Sequence, residues 1–151
     1  MLEKQLNNLM KNYGVIFIND LISKMNEQNL NASGKAARSL DYSIDGDSLK
    51  ITGVSYIDQM NKGRRLGTFV PIRPLQDWIE RKFSLSVNEA RPFAFALSKS
   101  IQRKGTIKRF GYGGGQFIDY VIKKNILGIN NKLTDLINKY AVDEIKKAAK
   151  Q

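Results

Sequence analysis

The chain contains no cysteine and no histidine in 151 residues. The first absence excludes disulfides and thiolate metal sites. The second removes the usual acid/base of neutral pH, the imidazole metal ligand, and the Ser-His and Cys-His nucleophile pairs. Proline is scarce as well, with three residues, two of them close together at Pro71 and Pro74. No apolar run approaches the ~20 residues that a membrane-spanning helix needs. The opening MLEKQLNNLMKN lacks the apolar stretch and small-residue cleavage site of a secretory signal. These absences predict a soluble protein made in a cytoplasm, with no membrane partner.

Chemistry finds little foothold in what remains. Asp41, Asp45 and Asp47 cluster around Gly46, but no bidentate glutamate follows at calcium-loop spacing. Asx side chains satisfying turn N–H groups explain the cluster better. Lysine, tyrosine and serine are present, yet none is paired with a base at a recognisable spacing. The reading is therefore a non-enzyme with no catalytic residue, no metal and no cofactor.

Charge is unevenly spread. Residues 1–60 carry six Lys and Arg against seven Asp and Glu, whereas residues 61–151 carry nineteen against seven, a net +12. A basic half beside a neutral half predicts a patch that meets something acidic: nucleic acid, a negative protein surface or anionic lipid.

The length suits one domain with one real core. Residues 3–28 read as a helix, with Leu6, Leu9, Met10, Tyr13, Phe17, Leu21 and Met25 on one stripe. A polar stretch from Asn29 to Ser33 ends it. Alternation predicts a hairpin of Leu40–Ile44 and Ser48–Thr52 around Gly46. Val54 to Met60 reads equally as a short strand or a helical turn. Gly63 to Val70 is a loop, and Pro71 and Pro74 bracket a helix running through Leu75, Trp78 and Ile79 to Lys82. Asn88 is the expected cap of the next helix, whose buried stripe is Ala90, Phe93, Ala94, Leu97 and Ile101 and whose stop is Gly105. Two further helices are expected, Phe117–Lys124 and Ile129–Ala149, after a glycine-rich loop over residues 105–115. The fold class is α+β: a long N-terminal helix, a small antiparallel sheet and a helical C-terminal half. The expected core is Phe17, Leu21, Ile51, Trp78, Phe93, Leu97 and Ile101.

The segment from Tyr56 to Thr106 pairs a glycine- and arginine-rich loop with two short amphipathic helices. Gly63 and Gly67 open backbone angles closed to other residues, and Pro71 and Pro74 stiffen the exit. A loop so constrained loses less entropy on docking. Arg64, Arg65 and Arg73 offer planar, permanently charged forks for carboxylates or phosphates. Lys99, Arg103, Lys104, Lys108 and Arg109 form the densest basic stretch, with no acid among them. Lys99 and Arg103 share a helix face, so their repulsion is relieved by an acidic partner. A solvated helix end accounts for the same charges, since cations favour a helix C-terminus. RFGYGGGQF, residues 109–117, has aromatics beside arginine like an RNA-binding strand, but without the sheet and valine-rich continuation. It also lacks the Gly-Lys-Ser/Thr of a phosphate loop.

The order of these signals carries a resemblance. A long amphipathic helix is followed by SGKAARSL, a hairpin ending ITG, Tyr56, NKGRRLG, PIRPLQDWIERK, AFALSKSIQRKGT and a closing helix. This order resembles the minor virion proteins that complete the head–tail joint of tailed bacteriophages, described as tail-completion, neck or head–tail connector proteins. The matching positions are Gly63, Arg64, Gly67, Pro71, Pro74, Trp78, Ile79 and Lys82. In the second helix they are Ala94, Ala96, Leu97, Ile101, Lys104 and Gly105. The resemblance implies a small α+β subunit of a homo-oligomeric ring, located in the virion and assembled in the host cytoplasm. Implied partners are further copies and the portal, connector or tail proteins, with packaged DNA as a further contact. The expected partner-binding residues are Lys62, Arg64, Arg65, Arg73, Lys104, Lys108, Arg109 and Tyr112. The alternative is a basic nucleic-acid-binding module.

Overall fold

Two long helices form the spine of the molecule. In the computed structural model, which describes residues 1–30, 34–67, 69–106 and 114–150, α1 spans Leu2–Glu27 and α6 spans Phe117–Ala148. Their contacts run in opposite chain directions. Gln28 donates to the Gly115 carbonyl at 2.8 Å, Asp20 accepts from Lys124 and Asn125, and the Lys132 ammonium lies 5.4 Å from the Tyr13 ring centre. The helices are therefore antiparallel. Tyr13, Phe17, Leu21 and Met25 of α1 bury against Phe117 and Val121 of α6.

Between them the chain makes α2 (Lys35–Arg38), β1 (Asp41–Asp45), β2 (Ser48–Thr52) and α3 (Ile57–Lys62). The two strands pair antiparallel with Tyr42 opposite Ile51 and Asp45 opposite Ser48, leaving a two-residue turn at Gly46 and Asp47. β1 begins one residue later than the alternation predicts. Leu49 and Ile51 lie against the spine cluster. Gly14 of α1 is the contact point: a Cβ there would stand 2.6 Å from the Tyr42 ring. Ser39 ties off the hairpin's base, donating to the Ala36 carbonyl at 2.6 Å and accepting from the Val54 N–H at 3.0 Å. The ambiguous stretch before Met60 resolves as helix.

α4 (Ile72–Phe83) and α5 (Val87–Lys104) form a separate helical hairpin, hereafter the arm. Its own cluster is Ile79, Ala90 and Ala94, flanked by Ile72, Leu75, Trp78, Leu85 and Leu97. The arm shares no residue with the spine cluster. Pro71 immediately precedes α4 and Pro74 lies in its first turn, where the missing N–H costs nothing.

Three expectations are corrected. α5 is capped by Ser86, not Asn88: the Glu89 carboxylate accepts from both the Ser86 hydroxyl (2.6 Å) and its backbone N–H (3.0 Å). That Ser-x-x-Glu spacing is a capping box, and it starts the helix earlier. Phe93 is not core but 63% exposed. The alanines at 90 and 94 let Ile79 approach closely, and the ring is displaced to the flank. The two C-terminal helices are one continuous helix. Gly128 does not break it; it faces the Tyr13 hydroxyl, 3.3 Å from where a Cβ would stand. Phe17, Leu21 and Ile101 are buried as expected, while Ile51, Trp78 and Leu97 are half-buried at the cluster margins.

Candidate interaction surface

The arm joins the spine through two chain segments, residues 63–71 and 105–106. They are stitched by main-chain hydrogen bonds. Thr106 donates to the Arg64 carbonyl at 3.0 Å, and its hydroxyl accepts from the Arg64 N–H at 2.9 Å. The Gly67 N–H donates to the Gln102 carbonyl at 2.7 Å. Further along, the buried Ser98 hydroxyl donates to the Val70 carbonyl at 2.6 Å. Gly105 lies tight against this loop: its φ is +65°, and a Cβ would lie 2.8 Å from the Arg64 carbonyl oxygen. Only glycine fits both conditions.

Asn61 locks the other side of this junction. It is 1% exposed. Its side-chain oxygen accepts the Ile118 N–H at 2.9 Å and its amide donates to Asp119 at 3.0 Å. Its backbone carbonyl accepts the Gln116 N–H, and the neighbouring Met60 carbonyl accepts that of Gly115. The end of α3 therefore fastens the start of α6 beside the arm's roots. Sequence reading assigned no role to Asn61, because its partners lie 57 and 58 residues away.

The stitching places Lys62, Arg64, Arg65 and Lys104 around one junction. Lys62 is exposed and pairs with Asp58 at 3.2 Å, a contact worth little at a surface. Arg64 is half-buried, and its guanidinium donates to the Phe69 carbonyl at 3.1 Å. Burial pulls its pKa down from the ordinary arginine value. Arg64 thus braces the loop that displays Arg65, which is exposed. Arg73 stands apart, exposed in the first turn of α4. Lys108, Arg109 and Tyr112 lie outside the described residues. Trp78 packs edge-on against Phe83, ring centres 5.9 Å apart, and is a structural element of the arm.

The other described groups with displaced titration lie away from the junction. A hydrogen bond from Asn125, aided by Lys124, holds Asp20 below the usual carboxylate range against an opposing burial penalty. Bonds from Ser86 do the same for Glu89. Lys24 and Lys147 are raised, each chiefly by a hydrogen bond to a glutamate one turn away. Among the described residues, no group of three or more His, Cys, Asp or Glu is placed to hold a metal. No described helix is long and apolar enough to cross a membrane.

Apolar side chains, by contrast, crowd the surface. Leu66 and Phe69 flank the junction, Phe93 and Phe95 lie on the arm, and Ile122, Ile126, Leu127, Ile137, Tyr140 and Ile145 line α6. Comparison with protein-family models, curated proteins and solved structures finds no match to this chain.

Proposed function

We propose that this chain is a structural virion protein that oligomerises into a ring at the head–tail junction of a tailed phage and links or completes that joint. The observation that carries self-assembly is the surface area. The chain exposes 10555 Å². A compact monomer of 17.1 kDa exposes roughly 7,800 Å². The excess of roughly 2,800 Å² exceeds the ~800 Å² per partner of a standard interface, and suffices for a neighbour on each side. Large apolar side chains, Leu127, Ile137 and Ile145 among them, stand on faces that no other described residue covers. The place in the particle rests on the ordered sequence signals from Gly63 to Gly105 and on the rigid junction that displays Arg65.

The mechanism is assembly without chemistry. Copies meet through unlike patches in a head-to-tail contact that closes on itself. The cationic junction then faces an acidic surface of an adjoining ring or the passing DNA. The mass of the protein in its native particle, or in a co-purified complex, tests the reading. Multiples of 17.1 kDa alongside a portal-side protein are expected; a solitary chain absent from the joint would end it.

The basic half of the chain favours a second reading, a nucleic-acid-binding module. A salt titration separates the two. A DNA binder loses ~0.9 log units of affinity per phosphate contact per log unit of salt. A ring subunit shows little free DNA binding at any salt.

A further inference from the structure

The end of α6 and the outer face of the arm are both incomplete. Every residue from Ile137 to Lys150 is exposed, and Ile145 is 67% so. Ile137, Ala141 and Ile145 recur every fourth residue and make one apolar stripe, flanked by Glu144. On the arm, Ile72, Pro92, Phe95 and Ala96 line a shallow apolar cleft with Arg91 at its edge. Lys99 covers one side of the Phe95 ring, its ammonium 4.7 Å from the ring centre. An apolar strip edged by a carboxylate thus has its counterpart in an apolar trough edged by cations.

One chain cannot bring these surfaces together. Ile145 lies 28 residues along α6 from Phe117, or ~42 Å at the helical rise, from the end fastened beside the arm's roots. Phe95 lies ten residues along α5 from Gly105, or ~15 Å. The two lengths differ by ~27 Å, so α5 from its root does not reach the level of Ile145. We propose that the occupant of the cleft is the final third of α6 from a second copy of this chain, with Glu144 meeting Arg91. The Glu144–Lys147 pair is a surface pair and exchanges readily for that contact. Because the two patches differ, each copy both gives and receives, which is the geometry a ring requires. This inference rests on the ring reading above and names the surfaces that would build it.

The absence of native cysteine makes a direct test clean. The double variant Phe95→Cys/Ile145→Cys, mildly oxidised, is run on a non-reducing gel beside each single variant. Both positions are exposed, so the fold is kept, as far-UV circular dichroism will check. The expected result is a ladder at multiples of 17.1 kDa from the double variant alone. Arg91→Glu is expected to weaken association roughly thirtyfold or more, and Arg91→Glu/Glu144→Arg to restore it, the breaking of one desolvated charge pair being at least of that size. Efficient dimers from Ile145→Cys alone would overturn the proposal in favour of a symmetric α6–α6 contact. An unlinked double variant whose wild type is oligomeric by light scattering would overturn it while leaving the ring reading intact. A monomeric wild type with no ladder would sink both.

Discussion

Replacing Asn61 with alanine should destabilise the fold by about 2–4 kcal/mol. The substitution removes the acceptor of the Ile118 N–H at 2.9 Å and the donor to Asp119 at 3.0 Å. Loss of a group capping a helix start costs ~1 kcal/mol. Loss of the separate bond to the Asp119 carboxylate adds ~1.5–3 kcal/mol. For a chain of this length 1 kcal/mol moves the melting temperature by roughly 2–4 °C, so a drop of about 5–15 °C is expected. Thermal unfolding followed by circular dichroism at 222 nm reads it directly, since α6 is the longest helix described. Asn61→Asp sharpens the argument. It keeps the acceptor for Ile118 but sets a carboxylate against that of Asp119. Burial and like charge raise its pKa above the unfolded value. A group raised in this way is tolerated below the ordinary carboxylate range and destabilises as pH rises through its folded-state pKa. One proton shared between the two carboxyls restores the lost hydrogen bond. The aspartate variant should therefore approach wild type near pH 4, roughly the unperturbed carboxyl value, and fall well below it at pH 7.5. An alanine variant melting within about 2 °C of wild type, or an aspartate variant whose deficit ignores pH, would refute the reasoning.

Three further outcomes are expected. Gly14→Ala should lower the melting temperature despite alanine's better helix propensity, because its methyl carbon would stand 2.6 Å from the Tyr42 ring. Overpacking of that kind costs ~1–3 kcal/mol, and trimming Tyr42 to Val should relieve the added cost in a double-mutant cycle. Arg65→Glu should leave circular dichroism and melting unchanged yet block particle completion, whereas Arg64→Glu should also lower the melting temperature, because Arg64 braces the Phe69 carbonyl. Normal infectious particles from Arg65→Glu would remove the junction from the list of contacts. Glu89 and Asp20 are both depressed in the folded state, so the stability they contribute is present above the ordinary carboxylate range and lost as pH falls through their folded values. Urea unfolding between pH 6 and about 2.5 should show a shallower acid loss for Glu89→Gln than for wild type.

Local signals carried most of the fold. The stripe from Leu6 to Met25, the hairpin alternation around Gly46, the prolines at the start of α4 and the glycine after α5 each report on neighbours a few residues away, and each appears within a residue of where the pattern places it. Errors arose where two local readings competed. Asn88 is a good cap by type, but the Ser86–Glu89 reciprocity outweighs it. Phe93 is apolar and roughly in phase, yet two alanines set the helix spacing and leave no room for a ring. The break expected between Lys124 and Ile129 does not occur, and Gly128 there lies against Tyr13, 115 residues earlier. The candidate surface was legible as composition, since arginines in a glycine loop are visible in one dimension. The division of labour between Arg64 and Arg65 was not. It depends on which guanidinium reaches the Phe69 carbonyl, a matter of three-dimensional path alone.

The junction owes its shape mainly to amide and carbonyl groups, with Thr106 and Ser98 assisting. Every amino acid except proline supplies both groups, so the decoration at Lys62, Arg65, Leu66 and Lys104 is free to change while the scaffold beneath persists. A lineage under pressure to fit a new counterpart can re-tailor the displayed side chains one codon at a time. The backbone would act as a fixed socket, and compatibility with a new host structure would become a question of surface wording instead of refolding.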